Sequence, residues 1–267
     1  MEQNYFDDTH LLKVSLLNKN FGGQRTIDDL SFHLNSKECL GIIGPNGAGK
    51  TTLFNLLSGI IPASSGSIIW LSQEIQKKSA SEISHLGIAR TFQNIRLFKQ
   101  ISVLENIQIA YDSQLTYTPL DALLRTSLTS KEEKRSVCSA MELLDVFSMT
   151  SLAYEPAGSL SYGDQRRLEI ARALALNPRL LLLDEPAAGM NEAEMNTLME
   201  LLRWIQKEFT LSMLLIEHHI PFIMGLCNRM LVLDFGQLIA EGTPEEIRQN
   251  RRVIEAYLGE EEEKNEY

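Results

Sequence analysis

The chain has 267 residues, 44% of them hydrophobic, which is enough to bury a sizeable core. Its 35 acidic and 25 basic side chains give a net charge of −10, which argues against a protein that binds the phosphate backbone of DNA or RNA. The three cysteines are widely spaced, at Cys39, Cys138 and Cys227. We therefore expect free thiols in a reducing compartment, with neither a disulfide framework nor a zinc site.

Membrane association is expected to come only through a partner. No stretch reaches the roughly 18 uninterrupted apolar residues that cross a bilayer. The first ten residues are acidic and polar, whereas a secretory signal would be basic and then apolar.

The early part of the chain has the patterning of half-buried strands, and helical patterning follows. Strands are predicted over 11–17, 27–34 and 67–75. Residues 94–158 are expected to be mostly helical, with a dividing loop over 111–121 and with Val103, Leu104 and Ile107 on one buried face. We interpret 94–158 as an inserted subdomain.

The later part alternates between strands and helices. The apolar runs of RLLLLDEP and LSMLLIEHH flank an amphipathic helix over 195–209. Two apolar runs separated by such a helix are typical of buried parallel strands joined by a crossover, which indicates an α/β fold.

The strongest motif is GPNGAGKTT, residues 44–52, which lies between the apolar run CLGII and a predicted helix with Leu53, Leu56, Leu57 and Ile60 on one face. Glycines let the backbone N–H groups of such a turn point at one anion, and the helix N-terminus adds its positive end. The residues assigned to the nucleotide are Gly44, Pro45, Asn46, Gly47, Ala48, Gly49, Lys50, Thr51 and Thr52. Lys50 is expected to reach the β- and γ-phosphates, and Thr51 to hold Mg²⁺.

Acidic and imidazole side chains follow two of the predicted strands. Asp184 and Glu185 end one apolar run, at the sheet edge where α/β proteins bind ligands. Successive strand residues face opposite ways, so we assign Asp184 to Mg²⁺ and Glu185 to the attacking water. His218 follows the next strand and is assigned to the γ-phosphate, in preference to His219. Without the phosphate loop, an acidic turn and a surface histidine would be the simpler interpretations.

The order of these motifs resembles the ATP-binding subunit of an ABC transporter from about Leu11 to Gly259. The resemblance implies a P-loop core with an N-terminal antiparallel β part and an inserted helical subdomain. It also implies a head-to-tail dimer of cassettes that holds each ATP between the phosphate loop of one and the LSYG stretch of the other. In trans, the ATP contacts would be Ser161, Tyr162, Gly163 and Asp164.

The same resemblance assigns further residues. Phe21 matches the aromatic residue that stacks on adenine, and Gln93 matches the residue that touches Mg²⁺ and water and couples the site to the transmembrane subunit. Asn191 stands where the family usually has aspartate. Asp164 stands where glutamine is usual, and His219 where aspartate commonly follows the histidine. The domains implied are an ATP-binding core over 1–93 and 159–250, the helical subdomain over 94–158, and a C-terminal helix with an acidic tail over 251–267.

A narrower resemblance, to the LivG-type ATPase of branched-chain amino-acid importers, rests on phrases such as GIARTFQNIRLF and LSYGDQRRLEIARAL. It implies a second cassette, permease subunits and, indirectly, an extracytoplasmic binding protein, with this chain peripheral on the cytoplasmic face of the inner membrane. Ile95, Leu97 and Phe98 are expected either to contact a permease helix or to pack in the core. The ATPases of urea and amide transporters and of lipopolysaccharide exporters share many of these sequence motifs. A soluble mechanical ABC ATPase or a P-loop kinase would be a different class of protein, but the chain has neither fused cassettes nor an Arg-bearing lid.

Overall fold

The structure, a computed structural model, describes residues 10–113 and 127–257, with side chains in the second range described from residue 134. Most of the predicted loop over 111–121 and the last ten residues, which include the acidic tail, lie outside the described residues. Within them, no helix is both long and apolar enough to pass through a bilayer.

The described residues form ten strands and nine α-helices. The strands are β1 (His10–Phe21), β2 (Gln24–Asn35), β3 (Cys39–Ile43), β4 (Ser65–Trp70), β5 (Gln73–Glu74), β6 (Ile88–Arg90), β7 (Leu180–Asp184), β8 (Ser212–Ile216), β9 (Arg229–Asp234) and β10 (Gln237–Gly242). The helices are α1 (Lys50–Leu57), α2 (Ala80–His85), α3 (Val103–Asp112), α4 (Ser127–Val146), α5 (Tyr162–Leu174), α6 (Glu192–Glu208), α7 (Ile220–Leu226), α8 (Pro244–Gln249) and α9 (251–257).

Two sheets organise the molecule. An antiparallel sheet has the strand order β2-β1-β4-β5, and a six-stranded sheet has the order β10-β9-β3-β8-β7-β6. In the second sheet only β10 is antiparallel to its neighbour. Every residue of β3, β7 and β8 is buried, as expected for parallel strands covered on both faces. The carboxyl ends of these three strands therefore meet at one edge, and the predicted α/β class is confirmed.

Two predicted elements end earlier than the pattern indicated. The strand predicted over 67–75 is divided into β4 and β5, because Leu71 and Ser72 have φ angles of 46° and 64° and form a turn. The helix after the phosphate loop ends at Leu57, and Gly59, with φ 66°, follows it. Ile60, predicted on the buried face of that helix, is consequently 45% exposed.

The helical segment packs on the core as its periodicity predicted. Val103, Leu104 and Ile107 of α3 are buried and belong to the hydrophobic cluster that includes α5 and β7. The division of the chain into an ATP-binding core and an insert over 94–158 stays a prediction.

The cysteines are all free thiols, as predicted. Cys39 at the start of β3 and Cys227 after α7 are buried with their sulfur atoms 3.2 Å apart. Cys138, on α4, is exposed.

Candidate active site

The phosphate loop joins the buried strand β3 to helix α1, as the sequence predicted. Gly44, Gly47 and Gly49 have φ angles of 151°, 79° and 98°, which L-residues rarely adopt. A Cβ atom at Gly44 would collide with the carbonyl oxygen of Leu233, and one at Gly49 would lie 2.7 Å from the carbonyl oxygen of Thr26. Backbone conformation and close packing from behind thus both require glycine at these two positions.

The first turn of α1 is arranged to receive an anion. Gly49 is its N-cap and supplies no side-chain acceptor, so no side chain of the loop caps this helix end. Helix N-termini attract negative charge through their N–H groups and the helix dipole. In the loop, Pro45 and Ala48 are buried and Asn46 is exposed, while in the helix Thr51 is exposed and Thr52 is half-buried.

Lys50 is the first residue of α1 and is buried, with only 6% of its surface exposed. Its Nζ donates to the carbonyl oxygens of Gly44 and Pro45 at 2.6 and 2.8 Å. The ammonium group is therefore held against the loop that precedes it, and its positive charge adds to that of the helix N-terminus.

The three predicted catalytic residues come together around Glu185. Gln93 donates from Nε2 to Oε2 of Glu185 at 2.8 Å. His218 Nε2 lies 2.8 Å from the other carboxylate oxygen, Oε1. Glu185 has a left-handed φ of 48°, directly after the last residue of β7. Both oxygens of this carboxylate are thereby fixed by side chains that lie 92 and 33 residues away in the sequence.

Asp184 and Glu185 have different hydrogen-bond partners. The carboxylate of Asp184 is buried and accepts a hydrogen bond from Arg90 Nη2 at 2.8 Å. Burial raises the pKa of Asp184, although the adjacent Arg90 guanidinium opposes this shift. Arg90 also donates to Asn55 and Ser58 of the phosphate-loop helix region, so it links Asp184 to α1. Sequence reasoning did not single out Arg90.

Glu217, the residue before the predicted histidine, is a second omission from the sequence interpretation. Its buried carboxylate accepts hydrogen bonds from the backbone N–H groups of Ala187, His218 and His219 at 2.8, 3.1 and 3.4 Å. Burial raises the pKa of Glu217, these N–H groups oppose the shift, and the charge of Glu185 adds to it. Glu217 thus ties the turn after Glu185 to the turn that carries His218.

The histidine chosen from the sequence is the one that reaches the site. His219 instead caps helix α7, because its Nδ1 accepts from the backbone N–H of Phe222 at 3.3 Å. His219 is therefore the N-cap of α7 and is turned to a structural contact.

A buried ion pair on helix α5 reaches the same site. The guanidinium of Arg166 has no exposed surface and donates to the carboxylate of Glu169 at 2.8 Å. It also donates to the backbone carbonyls of Phe92, Gln93 and Glu185 at 2.7, 3.0 and 3.3 Å. The sequence showed these two residues only as part of an Arg-rich helix. Their spacing of three residues, which puts them on one face, was the available signal.

The LSYG stretch forms the start of α5. Ser161 is the N-cap and accepts from Asp164 N–H, while its hydroxyl donates to the Asp164 carboxylate at 2.6 Å. Asp164 also pairs with Arg167. Tyr162 is exposed and Gly163 is half-buried.

The remaining predicted positions have local roles. Phe21 lies at the end of β1, is 50% exposed, and has the Lys19 ammonium 4.9 Å from its ring centre. Asn191 is the N-cap of α6 and forms a reciprocal capping box with Glu194. Asparagine serves this role as well as aspartate does.

A phosphate loop at the head of a parallel sheet, together with a strand-end acid held by glutamine and histidine, defines a P-loop nucleotide hydrolase. The ABC transporter family matches residues 27–188, and a second family, described as a branched-chain amino acid ATP-binding cassette transporter, matches residues 237–263. The chain therefore belongs to the ABC transporter family, as one of its ATP-binding and ATP-hydrolysing subunits.

Several known proteins are similar to it over nearly their whole length. The high-affinity branched-chain amino acid transport ATP-binding proteins BraF of Pseudomonas aeruginosa and LivG of Escherichia coli K12 are each 40% identical, over 94% of this chain and 98% of theirs. The lipopolysaccharide export system ATP-binding protein LptB of Escherichia coli K12 is 34% identical, over 93% of this chain and 97% of its own. Among solved structures, the ADP conformation of MJ1267, an ATP-binding cassette of an ABC transporter, has a TM-score of 0.82 at 31% identity, over 94% of this chain and 99% of that one.

Proposed function

We propose that this chain hydrolyses ATP to drive an importer of branched-chain amino acids. The observation that carries the hydrolytic part is the carboxylate of Glu185, which Gln93 and His218 hold through both of its oxygens. Support for the substrate comes from BraF and LivG, which are more similar to the chain than LptB is. Lipopolysaccharide export is accordingly the second candidate.

The donor set suits ATP with a magnesium ion. Thr51, Gln93 and Asp184 offer hydroxyl, amide and carboxylate oxygens, which are the hard ligands that Mg²⁺ prefers. When bound, the ion neutralises charge on the phosphates. Asp184 accepts from Arg90 in this structure, so a magnesium ion there would share this carboxylate with the guanidinium.

The chain's own residues supply the remaining chemistry. Glu185 accepts a proton as water attacks the γ-phosphorus and the bond to the ADP oxygen breaks. Lys50 and the N-terminus of α1 offset the negative charge of the phosphates. Phe21, half-exposed at the end of β1, offers an aromatic face to the adenine.

The second half of each ATP site is proposed to come from another cassette. Ser161 and Asp164 lie at the N-terminus of the thirteen-residue helix α5, whose dipole favours a phosphate. In the head-to-tail dimer these residues, with Tyr162 and Gly163, would face the γ-phosphate on the other cassette's phosphate loop.

A groove beside Gln93 is proposed to receive a short helix of the permease. Leu97, Phe98 and Ile109 line it together with Arg96 and Arg172. Phe98 is 52% exposed, and the guanidinium of Arg172 lies 5.8 Å from its ring centre. This favours the docking interpretation for Phe98. Leu97 packs partly against the core, and Ile95 is half-buried outside the lining of this groove.

Docking on the permease would place the chain at the cytoplasmic face of the inner membrane as a peripheral subunit. An extracytoplasmic binding protein would then deliver the solute without touching this chain, and nucleic acid has no part in the proposal.

The test is uptake of labelled leucine by cells that lack their own importer and express this chain with candidate permeases and a binding protein. We expect uptake with the unaltered chain and none with Glu185→Gln. Co-purification from detergent-solubilised membranes should recover the permease with both forms. Transport of lipopolysaccharide without leucine uptake would favour the LptB-like function, and recovery of nucleic acid in place of a permease would contradict the proposal.

A further inference from the structure

Arg166 makes an unusual set of contacts for a buried arginine. Three of its hydrogen bonds go to backbone carbonyls that belong to two separated segments, the loop around Gln93 and the turn at Glu185. The planar guanidinium fixes its donors in one rigid fork, so it sets the distance between the groups it binds. Arg166 therefore fixes the position of the loop around Gln93 relative to the turn at Glu185.

Glu169 strengthens this arrangement. One carboxylate oxygen accepts from Arg166, and the other accepts from the backbone N–H groups of Phe92 and Arg96, each at 3.3 Å. The loop that carries Gln93 is thus bound to α5 through both a carbonyl and an amide at Phe92.

The backbone of Glu185 needs such support. A left-handed φ of 48° is strained for glutamate and persists only when the surroundings determine it. Its N–H donates to the carbonyl of Ile216 at 2.9 Å, and its own carbonyl accepts from Arg166 at 3.3 Å. The strained conformation is what turns the carboxylate out of the line of β7 towards Gln93 and His218.

A buried ion pair is seldom retained for stability, because the cost of removing two charges from water offsets their attraction. The Arg166–Glu169 pair instead positions the catalytic acid, Glu185, and its partner Gln93. We propose that Arg166 is a positioning residue for ATP hydrolysis, holding the backbones of Gln93 and Glu185 together from inside helix α5.

This inference rests on the proposed function, since it presupposes that Glu185 acts in hydrolysis. It also adds to it. Helix α5 begins at Ser161, the residue proposed to contact ATP on the other cassette. A displacement of α5 when the dimer closes would then be transmitted through Arg166 to the catalytic acid of its own cassette.

The experiment compares four variants of the full-length chain and one combination of them. Arg166→Met removes the guanidinium. Arg166→Met/Glu169→Gln also removes the opposing charge but keeps an acceptor for the N–H groups of Phe92 and Arg96, so it folds even where the single variant does not. The matched control is Arg229→Met, which removes a partly buried arginine, paired with Glu38 and Glu241, from the start of β9. Glu185→Gln reports on the acid itself.

We expect the double variant to lower kcat for MgATP by about a hundredfold, the order that a misplacement of about 1 Å costs, with KM nearly unchanged. Arg229→Met should lose thermal stability but keep its kcat. In the Glu185→Gln background, Arg166→Met/Glu169→Gln should still form ATP-dependent dimers, because the acid no longer acts there.

Three results would overturn the inference. The first is a kcat of the double variant equal to that of Arg229→Met, and the second is a rise in its KM at unchanged kcat. The third is that the double variant no longer forms ATP-dependent dimers in the Glu185→Gln background. If Glu185→Gln alone kept normal turnover, the proposed function itself would fail, and this outcome is distinct from the other three.

Discussion

Nε2 of His218 and Oε1 of Glu185 lie 2.8 Å apart, although the two residues follow different strands. Parallel pairing of β7 with β8 brings the ends of these strands together, with Asp184 opposite Ile216. Because Gln93 occupies the other oxygen, the plane of the carboxylate is fixed on both sides. A base held in this way needs little reorganisation before it accepts a proton.

Replacing His218 by alanine is expected to reduce turnover. The loss of one of the two groups that orient Glu185 should lower kcat by about 10²-fold, a magnitude typical of general acid–base groups, with little change in ATP affinity. Steady-state phosphate release measures the effect. His85→Ala is the control, since the exposed side chain of His85 is hydrogen-bonded to the carbonyl of Ser81, within its own helix. Equal turnover in both variants would exclude His218 from the reaction.

Replacing Lys50 by alanine should weaken nucleotide binding itself. Hydrogen bonds to charged groups contribute about 1.5–3 kcal/mol, so we expect ATP affinity to fall by about tenfold to a hundredfold. Isothermal titration calorimetry with ATP measures this, and Lys13→Ala on the exposed face of β1 serves as the control. Unchanged affinity would contradict the assignment of the phosphate loop.

Replacing Ser161 by alanine should separate ATP binding from dimer closure. The variant loses an N-cap, which costs about 1 kcal/mol of stability, and loses the proposed contact with the other cassette's phosphate. Ser79→Ala is the matched control, because Ser79 caps α2 in the same way. In the Glu185→Gln background, ATP-dependent dimers seen by gel filtration should be lost with Ser161→Ala only. Loss of ATP binding to the monomer would refute the two-chain site.

Glu217 should make stability depend on pH in a definite direction. Its pKa is raised in the fold, so its contribution to stability is fully present below its ordinary value and is lost as the pH rises through the raised one. The free energy of unfolding of the wild type should therefore decrease relative to that of Glu217→Gln as the pH increases above about 4.5. Urea unfolding at several pH values measures this difference.

Glu82 provides the opposite control. Its pKa is lowered by the backbone and hydroxyl groups of Ser79. Relative to Glu82→Gln, the wild type should gain stability as the pH rises and lose it as the pH falls through the lowered value. If the stability difference between the wild type and the variant changed with pH in the same direction for Glu217→Gln and Glu82→Gln, the proposed effect of burial on Glu217 would be wrong.

The sequence predicted what depends on local pattern. The phosphate loop, the strand that ends at Asp184 and the histidine after β8 each have a signature within about ten residues. Parallel pairing of β7 with β8 brings the ends of these strands together, so the proximity of Glu185 and His218 followed from topology. Gln93 was assigned through the family resemblance alone.

The residues that were missed act over long separations. Arg166 binds carbonyls 73 and 74 positions away, and Arg90 reaches Asp184 across 94 positions. A charged side chain in an amphipathic helix is ordinarily solvated. The three-residue spacing of Arg166 from Glu169 did not single it out, because Arg167 has the same spacing from Asp164 and pairs with it at the surface. The turn at Leu71 that divides the predicted strand was also missed, because no glycine or proline marks it in the sequence.

The distribution of the thiols makes the unmodified chain suitable for spectroscopy. A maleimide dye should react at Cys138 alone, because the sulfur atoms of Cys39 and Cys227 lie against each other in the interior. Since Cys138 lies on α4 and Trp70 and Trp204 lie on β4 and α6, a single label would report by energy transfer on displacement of the helical region when ATP is added. No cysteine would have to be removed beforehand.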